Sequence, residues 1–207
     1  MATLFKMLTR RSLTALAMTL ALCLPTGALA EEAAKAEAKP PVNPEVVIRT
    51  SEGDITLVLF ADKAPVTVEN FLSYVDDGFY SGTIFHRVIP NFMIQGGGFT
   101  PDMVEKATRD PIVNESKNRV HNTRGTIAMA RTSDPDSATS QFFINQRSNL
   151  RLDWTPGREG YTAFGEVTSG MEIVDFIATA PTGRQGRHGD VPKTPILIKE
   201  IVRKSAK

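Results

Sequence analysis

The chain is poor in the residues that form disulfides, hold metals or neutralise nucleic acid. Its 207 residues include one cysteine and three histidines, which excludes a disulfide framework and a cysteine-based zinc site and makes a histidine metal centre a poor fit. The formal net charge is only +1, whereas proteins that bind nucleic acid through its phosphates carry a larger positive excess. We therefore expect no metal, no cofactor and no nucleic-acid partner.

Long apolar runs are also absent. The most apolar stretch, residues 12–24, has 13 residues and is too short to cross a bilayer comfortably. It follows three basic residues and precedes the small-x-small sequence ALA at 28–30, which is the layout of a cleavable secretory signal peptide. We assign residues 1–30 to this signal, with an uncleaved anchor as the alternative, and leave general secretion and twin-arginine export both open.

A short tether is expected to follow the signal. Residues 31–44, EEAAKAEAKPPVNP, contain no large apolar side chain, which is typical of a flexible linker stiffened by proline at its end. The only cysteine, Cys23, lies in the predicted signal, so the mature chain would have no thiol to mispair in an oxidising compartment. We expect a periplasmic protein without stable membrane association, whose folded domain spans residues 45–204.

Residues 45–204 alternate short β-type runs with two helical patterns. Helical spacing predicts one helix that Pro65 opens and Asp77 ends, and a second from Met171 to Ala178. Apolar, β-branched and aromatic runs that end at turn residues predict strands, which span 46–48, 55–60, 84–89, 92–95, 125–130, 141–145, 161–167 and 195–202. This pattern predicts a mainly β fold, a closed antiparallel barrel capped by helices, although periodicity alone does not separate it from a sandwich.

Four sequence blocks in this domain resemble those of one known family. The blocks are FHRVIPNFMIQGG at 85–97, NTRGTIAMAR at 122–131, SQFFIN at 140–145 and YTAFGEV at 161–167. In this order they resemble the cyclophilin-type peptidyl-prolyl cis-trans isomerases, and the chain is similar to the exported bacterial members. The resemblance implies an eight-stranded antiparallel β-barrel with two capping α-helices. It also implies a monomeric enzyme that isomerises X–Pro bonds in unfolded or partly folded polypeptides.

The chemistry of X–Pro isomerisation indicates what such a site must contain. Amide resonance sets a rotation barrier of about 18–20 kcal/mol, and rotation localises a lone pair on the prolyl nitrogen. A fixed cationic donor near that nitrogen stabilises the twisted amide more than the planar one, so no covalent step is needed. Arg87 is the candidate donor, because a guanidinium keeps its charge and holds its N–H groups in a plane. The alternative is a surface arginine in a salt bridge.

The resemblance assigns the other site residues. Phe92 and Gln95 would be catalytic together with Arg87, since Gln95 would bind the substrate backbone and orient the arginine. The substrate-binding residues would be Met93, Ala130, Arg131, Gln141, Phe143, Leu152 and Tyr161. Phe92, Met93 and Phe143 would form an apolar slot for the prolyl ring, whereas the alternative for each of them is barrel core, as we expect for Phe142. The backbone at Ala130 and Arg131 would pair with an extended peptide.

The three histidines are not expected to take part in catalysis. His86 adjoins Arg87 on a predicted strand, and strand alternation would point it to the opposite face. His121 and His188 fall in expected loops. We expect packing or surface roles for all three.

The loop after Phe143 departs from the family pattern, and Tyr161 stands where many members have His, although the exported bacterial members resemble this chain there. Arg151 stands where members usually carry Trp or Phe at the rim of the pocket, and the only tryptophan, Trp154, comes three residues later in a long loop. Because cyclosporin-sensitive members use that rim, we expect weak binding of cyclosporin, with the reach of Trp154 left open. Two other functions remain as alternatives: a binding module of the same fold, disfavoured by the retained site residues, and a small exported hydrolase, disfavoured by the lack of a nucleophile–base pair.

Overall fold

The computed structural model describes residues 43–204. The predicted signal lies outside the described residues, as does the predicted tether apart from Asn43 and Pro44, whose side-chain and backbone oxygens accept hydrogen bonds from Ala61 and Leu59. The α-helices are α1 (Pro65–Asp76) and α2 (Met171–Ala178), short 3-10 turns lie at Ser116–Asn118 and Leu150–Leu152, and no helix among the described residues is long and apolar enough to cross a membrane. The strands are β1 (Glu45–Thr50), β2 (Asp54–Leu59), β3 (Thr83–Ile89), β4 (Met93–Gly96), β5 (Thr126–Met129), β6 (Phe142–Asn145), β7 (Ala163–Ser169), β8 (Thr182–Gln185), β9 (His188–Pro192) and β10 (Leu197–Arg203).

Eight of these strands close an antiparallel barrel in the order β1-β10-β3-β4-β6-β5-β7-β2, and β1 completes the ring by pairing with β2. The fold class expected from the sequence, an eight-stranded antiparallel barrel with two helices, is therefore confirmed. Each predicted strand corresponds to a barrel strand, and its ends lie within two residues of the observed ones.

The barrel interior is filled by apolar side chains that alternate along the strands. On β2, Ile55, Leu57 and Leu59 are fully buried, whereas the residues between them are half-exposed. The apolar stripe of α1 packs onto the same core, where the Phe71 ring lies 5.3 Å from that of Tyr80 and 5.7 Å from that of Phe142, between ring centroids. The expectation that Phe142 belongs to the barrel core is thus confirmed.

A second, two-stranded sheet is absent from the sequence prediction. Strands β8 and β9 pair as a hairpin whose turn contains Gly186, with a φ of +58°. A two-residue hairpin turn needs such a positive φ, which glycine adopts without strain. The two strands are polar and glycine-rich, so the apolar alternation that reveals other strands is missing. The loop predicted at His188 is wrong, because this residue begins β9, which lies against β3.

Candidate active site

A groove on the outer face of the barrel brings the predicted site residues together. All ten of them line one cavity of about 340 Å³ beside the neighbouring strands β3, β4, β6 and β5. Strand alternation explains the placement: Ile94 of β4 faces the barrel core, while Met93 belongs to a separate cluster under the groove. On β6, Phe142 and Phe143 divide between core and groove in the same way.

One half of the groove is apolar. Met93, Phe143 and two alanines form a buried cluster apart from the barrel core, and Phe92, Leu152 and Tyr161 pack against it. The rings of Phe143 and Tyr161 meet edge to face, with their centroids 5.7 Å apart and an interplanar angle of 76°. This half of the groove is therefore an apolar slot.

Buried side-chain amides hold the loop after β6 against the slot. Asn149 Nδ2 donates to the carbonyl oxygen of Phe92 at 2.9 Å and to Asn145 Oδ1 at 2.7 Å. At the other end of the loop, the Tyr161 N–H donates to the carbonyl oxygen of Leu152 at 2.8 Å. The positions of these slot residues are therefore set by polar contacts that are buried beside them.

Asp153 fastens the same loop to the segment before β5. Its Oδ1 accepts hydrogen bonds from the backbone N–H and the side-chain Nδ2 of Asn122, at 2.7 and 3.0 Å, and its Oδ2 lies 2.8 Å from Nδ1 of the exposed His121. Burial alone would raise the pKa of Asp153, but these hydrogen bonds outweigh it and hold the pKa below its ordinary value.

The other half of the groove is polar and contains Arg87. The guanidinium is half-exposed, and its Nη1 lies 3.5 Å from Gln95 Oε1. Gln95 is held in turn, because its Nε2 donates to Gln141 Oε1 at 3.0 Å. On the opposite side, Arg87 Nε lies 3.7 Å from Asp190 Oδ2 on β9. The arginine thus has both a surface ion pair and a place in the groove, held between an amide and a carboxylate.

Sequence reasoning assigned five residues of the cavity no role in it. They are His86, Phe99, Glu105, Arg187 and His188. Glu105 continues the polar wall, since its Oε1 lies 3.5 Å from Nε2 of Gln141 and its Oε2 lies 3.9 Å from Nη2 of Arg187.

Gly98 makes room for this wall. A Cβ atom at Gly98 would lie 2.5 Å from Cγ of Gln141, so only glycine allows the glutamine its place. The glycine run at 96–98 was therefore a usable signal that another group approaches the backbone closely.

His86 faces the groove, contrary to the prediction from alternation. A bulge in the pairing of β3 with β4 lies between Phe85 and Arg87, so the side chains at 86 and 87 both line the cavity. The predicted packing role agrees with its burial, as only 3% of His86 is exposed and its ring lies 4.6 Å from that of Phe99. Burial lowers its pKa to about 4, helped by the nearby His188 and the Arg87 charge.

This buried histidine should make the protein less stable in mild acid. Between pH 6.5, the ordinary pKa of histidine, and about 4, the unfolded chain binds a proton at His86 that the folded protein excludes. Lowering the pH from 7 to 4 should therefore lower the free energy of unfolding by up to about 3 kcal/mol. Urea unfolding across this range measures the effect, and His86→Gln should remove most of the dependence.

The carboxylates with lowered pKa values affect stability mainly at a lower pH than His86 does. Hydrogen bonds hold the pKa values of Asp76, Asp153 and Asp175 below the ordinary value of 3.8, so the stability they contribute begins to fall near pH 5 and is lost mostly below about pH 4. An unchanged slope between pH 6.5 and about 5 in His86→Gln would show that another group is responsible.

Two arginines stack on aromatic rings of the slot. The guanidinium carbon of Arg151 lies 4.9 Å from the ring centroid of Phe92, and that of Arg131 lies 4.6 Å from the ring of Tyr161. The Arg131 side chain also donates to the carbonyl oxygens of Gly160 and Glu159 at 3.2 and 2.9 Å. Its side chain therefore supports the loop, in addition to the backbone role expected for this residue.

Trp154 points away from the groove. Its side chain is not among those lining the cavity, and the Lys117 ammonium lies 6.0 Å from its ring centroid. Trp154 therefore does not replace the aromatic side chain that family members usually carry at the position of Arg151.

Comparisons with known proteins agree with this geometry. A family model described as cyclophilin type peptidyl-prolyl cis-trans isomerase/CLD matches residues 45–203. A peptidyl-prolyl cis-trans isomerase of Acinetobacter baylyi is 55% identical over 163 residues, which cover 79% of this chain and 87% of the relative. Peptidyl-prolyl cis-trans isomerase B of Escherichia coli is 54% identical, with 75% of this chain and 97% of the relative covered.

A solved structure has the same fold. The crystal structure of a cyclophilin type peptidyl-prolyl cis-trans isomerase from Cryptosporidium parvum superposes with a TM-score of 0.69 at 29% identity, covering 80% of this chain and 99% of that one. A second crystal structure of that protein, in the presence of the dipeptide Ala-Pro, has a TM-score of 0.68 at 31% identity, covering 78% of this chain and 99% of that one.

Proposed function

Because this chain belongs to the cyclophilin-type peptidyl-prolyl cis-trans isomerase family, its activity is X–Pro isomerisation, and we propose that it works by stabilising the twisted amide with Arg87. The observation that carries this proposal is the junction of an apolar slot and a guanidinium within one cavity. The Ala-Pro dipeptide named with the Cryptosporidium parvum structure supports a proline peptide as the ligand.

In this mechanism the slot and the arginine have separate tasks. The prolyl ring enters the slot between Phe92, Met93 and Phe143 and is held there while the acyl side of the bond rotates. Arg87 donates to the prolyl nitrogen as its lone pair localises, which favours the twisted state over either planar isomer. Gln95, fixed by Gln141, limits the guanidinium to orientations that reach the nitrogen.

The competing function is a binding module of the same fold without useful catalysis. A protease-coupled assay with an Ala-Pro tetrapeptide separates the two, because the protease cleaves only the trans isomer. Acceleration of the slow cleavage phase in proportion to enzyme concentration is the expected result. Tight peptide binding with no acceleration would favour the binding module.

We expect Arg151 at the rim of the groove to make cyclosporin binding weaker than in relatives with an aromatic residue there. Arg151 replaces a large aromatic with a solvated charge, and burying such a side chain against a ligand contributes about 1.5–3 kcal/mol. Affinity should therefore be about one to two orders of magnitude lower than in a relative with tryptophan at this position. Calorimetric titration of Arg151→Trp should recover most of this difference.

Trp154→Ala is the matched control for the rim. Its ring lies outside the cavity lining, so cyclosporin affinity should change little. A loss of about tenfold or more in Trp154→Ala, without a gain in Arg151→Trp, would mean that the loop folds its indole over the groove.

We further propose that the enzyme is exported and assists the folding of exported proteins. The proposal is supported by the signal-peptide pattern of residues 1–30, and by Cys23 as the only cysteine of the chain. Mass spectrometry of the protein from a periplasmic extract should find Glu31 at the N-terminus. An intact Met1, or a lipid on Cys23, would contradict it.

A further inference from the structure

A second cavity of about 310 Å³ lies beside the proline slot. It is lined by Asn91, Arg147, Ser148, Asn149, Leu150 and Arg151. Both guanidinium groups belong to exposed residues, and no acidic residue lines the cavity. The cavity is therefore strongly positive at neutral pH, because arginine keeps its charge.

The two arginines have no carboxylate neighbour within the part of the chain that the structure describes. Three other arginines are paired with carboxylates, Arg87 with Asp190, Arg124 with Asp175 and Arg187 with Glu105. For Arg147 and Arg151, by contrast, no carboxylate oxygen of residues 43–204 comes within 4.0 Å. Their N–H groups are open to a ligand from solution.

The second cavity is joined to the proline slot through Phe92. The Arg151 guanidinium carbon lies 4.9 Å from the centre of the Phe92 ring, which lines the slot, and Asn149 binds the carbonyl oxygen of the same residue. An extended peptide advances about 3.3–3.6 Å per residue. Since Arg151 contacts the Phe92 ring of the slot, a side chain one or two residues from a bound proline would come within reach of its guanidinium.

We propose that Arg147 and Arg151 form a subsite for the carboxylate of an aspartate or glutamate close to the substrate proline. The inference rests on the proposed function, because it requires the prolyl ring to occupy the slot. A guanidinium fork matches a carboxylate with two parallel charge-assisted hydrogen bonds. The subsite would make acidic segments the preferred clients and would draw them to the groove before they dock.

The preference is measured with pairs of peptides that differ by one charge. Glutamate and glutamine are compared at four positions of the peptide, the two that precede the proline and the two that follow it. The value of kcat/KM is determined for each peptide at low ionic strength. We expect kcat/KM of the glutamate peptide to exceed that of the glutamine peptide by about fivefold at one or more positions. This factor corresponds to the free energy of an exposed or partly buried ion pair. At roughly 1 M salt, where the screening length is about 3 Å, the ratio should approach one.

Charge-removing variants assign the preference to this cavity. Arg151→Gln and Arg147→Gln should each lower the glutamate-to-glutamine ratio, and the double variant should abolish it. Arg184→Gln is the matched control, since this exposed arginine on β8 lines neither cavity. It should leave the ratio unchanged.

The outcomes separate this inference from the proposed function. Equal turnover of glutamate and glutamine peptides at every position, or a glutamate preference that persists in the double variant, would overturn the subsite while the isomerase activity stands. If no peptide is turned over, the proposed function fails. The subsite is then tested by calorimetry, as the ratio of the affinities of the glutamate and glutamine peptides.

Discussion

Replacing Arg87 with alanine should lower kcat/KM for an X–Pro peptide by about 10²-fold or more, the loss expected when a key electrostatic donor is removed. The fold should not change, because Arg87 is half-exposed on β3 and its polar contacts are Gln95 and Asp190 at the surface of the groove. A protease-coupled assay measures the activity, and circular dichroism with thermal melting checks the fold.

Arg87→Lys distinguishes geometry from charge. Lysine keeps the positive charge but has no planar fork of N–H groups, so it should restore only part of the activity. A folded Arg87→Ala protein with turnover near that of the unmodified enzyme would refute the twisted-amide mechanism. Equal activities of the lysine and arginine proteins would instead mean that charge alone is sufficient.

Phe142 and Phe143 should respond to the same substitution in opposite ways. Phe142 is fully buried in the barrel core and its ring meets those of Phe71, Tyr80 and Phe85. Its replacement by alanine should therefore lower the free energy of unfolding by about 3–5 kcal/mol, because apolar contacts are lost and the packed core cannot close the cavity that remains. Activity per folded molecule should change little.

Phe143→Ala should mainly affect catalysis. Its ring lies in the apolar slot against Tyr161, so removing it leaves the prolyl ring without a wall, and kcat/KM should fall by roughly tenfold or more, as the loss of apolar contact with a ligand predicts. Its stability cost should be smaller than that of Phe142→Ala, because the space opens toward the groove and can fill with water. Urea unfolding and the isomerase assay on both variants test the pair. A larger stability loss in Phe143→Ala would contradict this division.

Local patterns in the sequence were sufficient for the barrel. β-Branched and aromatic runs ended by turn residues mark all eight barrel strands, and apolar spacing marks both helices. These signals are reliable because each strand buries one face, so side chains must alternate along it, as Ile94 and Met93 do on β4. Nine of the ten predicted site residues meet in one cavity because they lie on, or within two residues of, strands that the barrel makes neighbours, whereas Leu152 comes from the loop between β6 and β7.

Contacts between distant segments decided the rest. The β8–β9 hairpin has no apolar alternation, yet it supplies Asp190 to Arg87. The bulge in β3, set by pairing with β4, turns His86 into the groove against the rule of alternation. The direction of Trp154 and the meeting of Arg147 and Arg151 at one cavity likewise depend on how a long loop is anchored by buried amides and Asp153. A sequence pattern records which face of an element is buried, whereas the partners across a groove are chosen only when the closed barrel brings distant segments together.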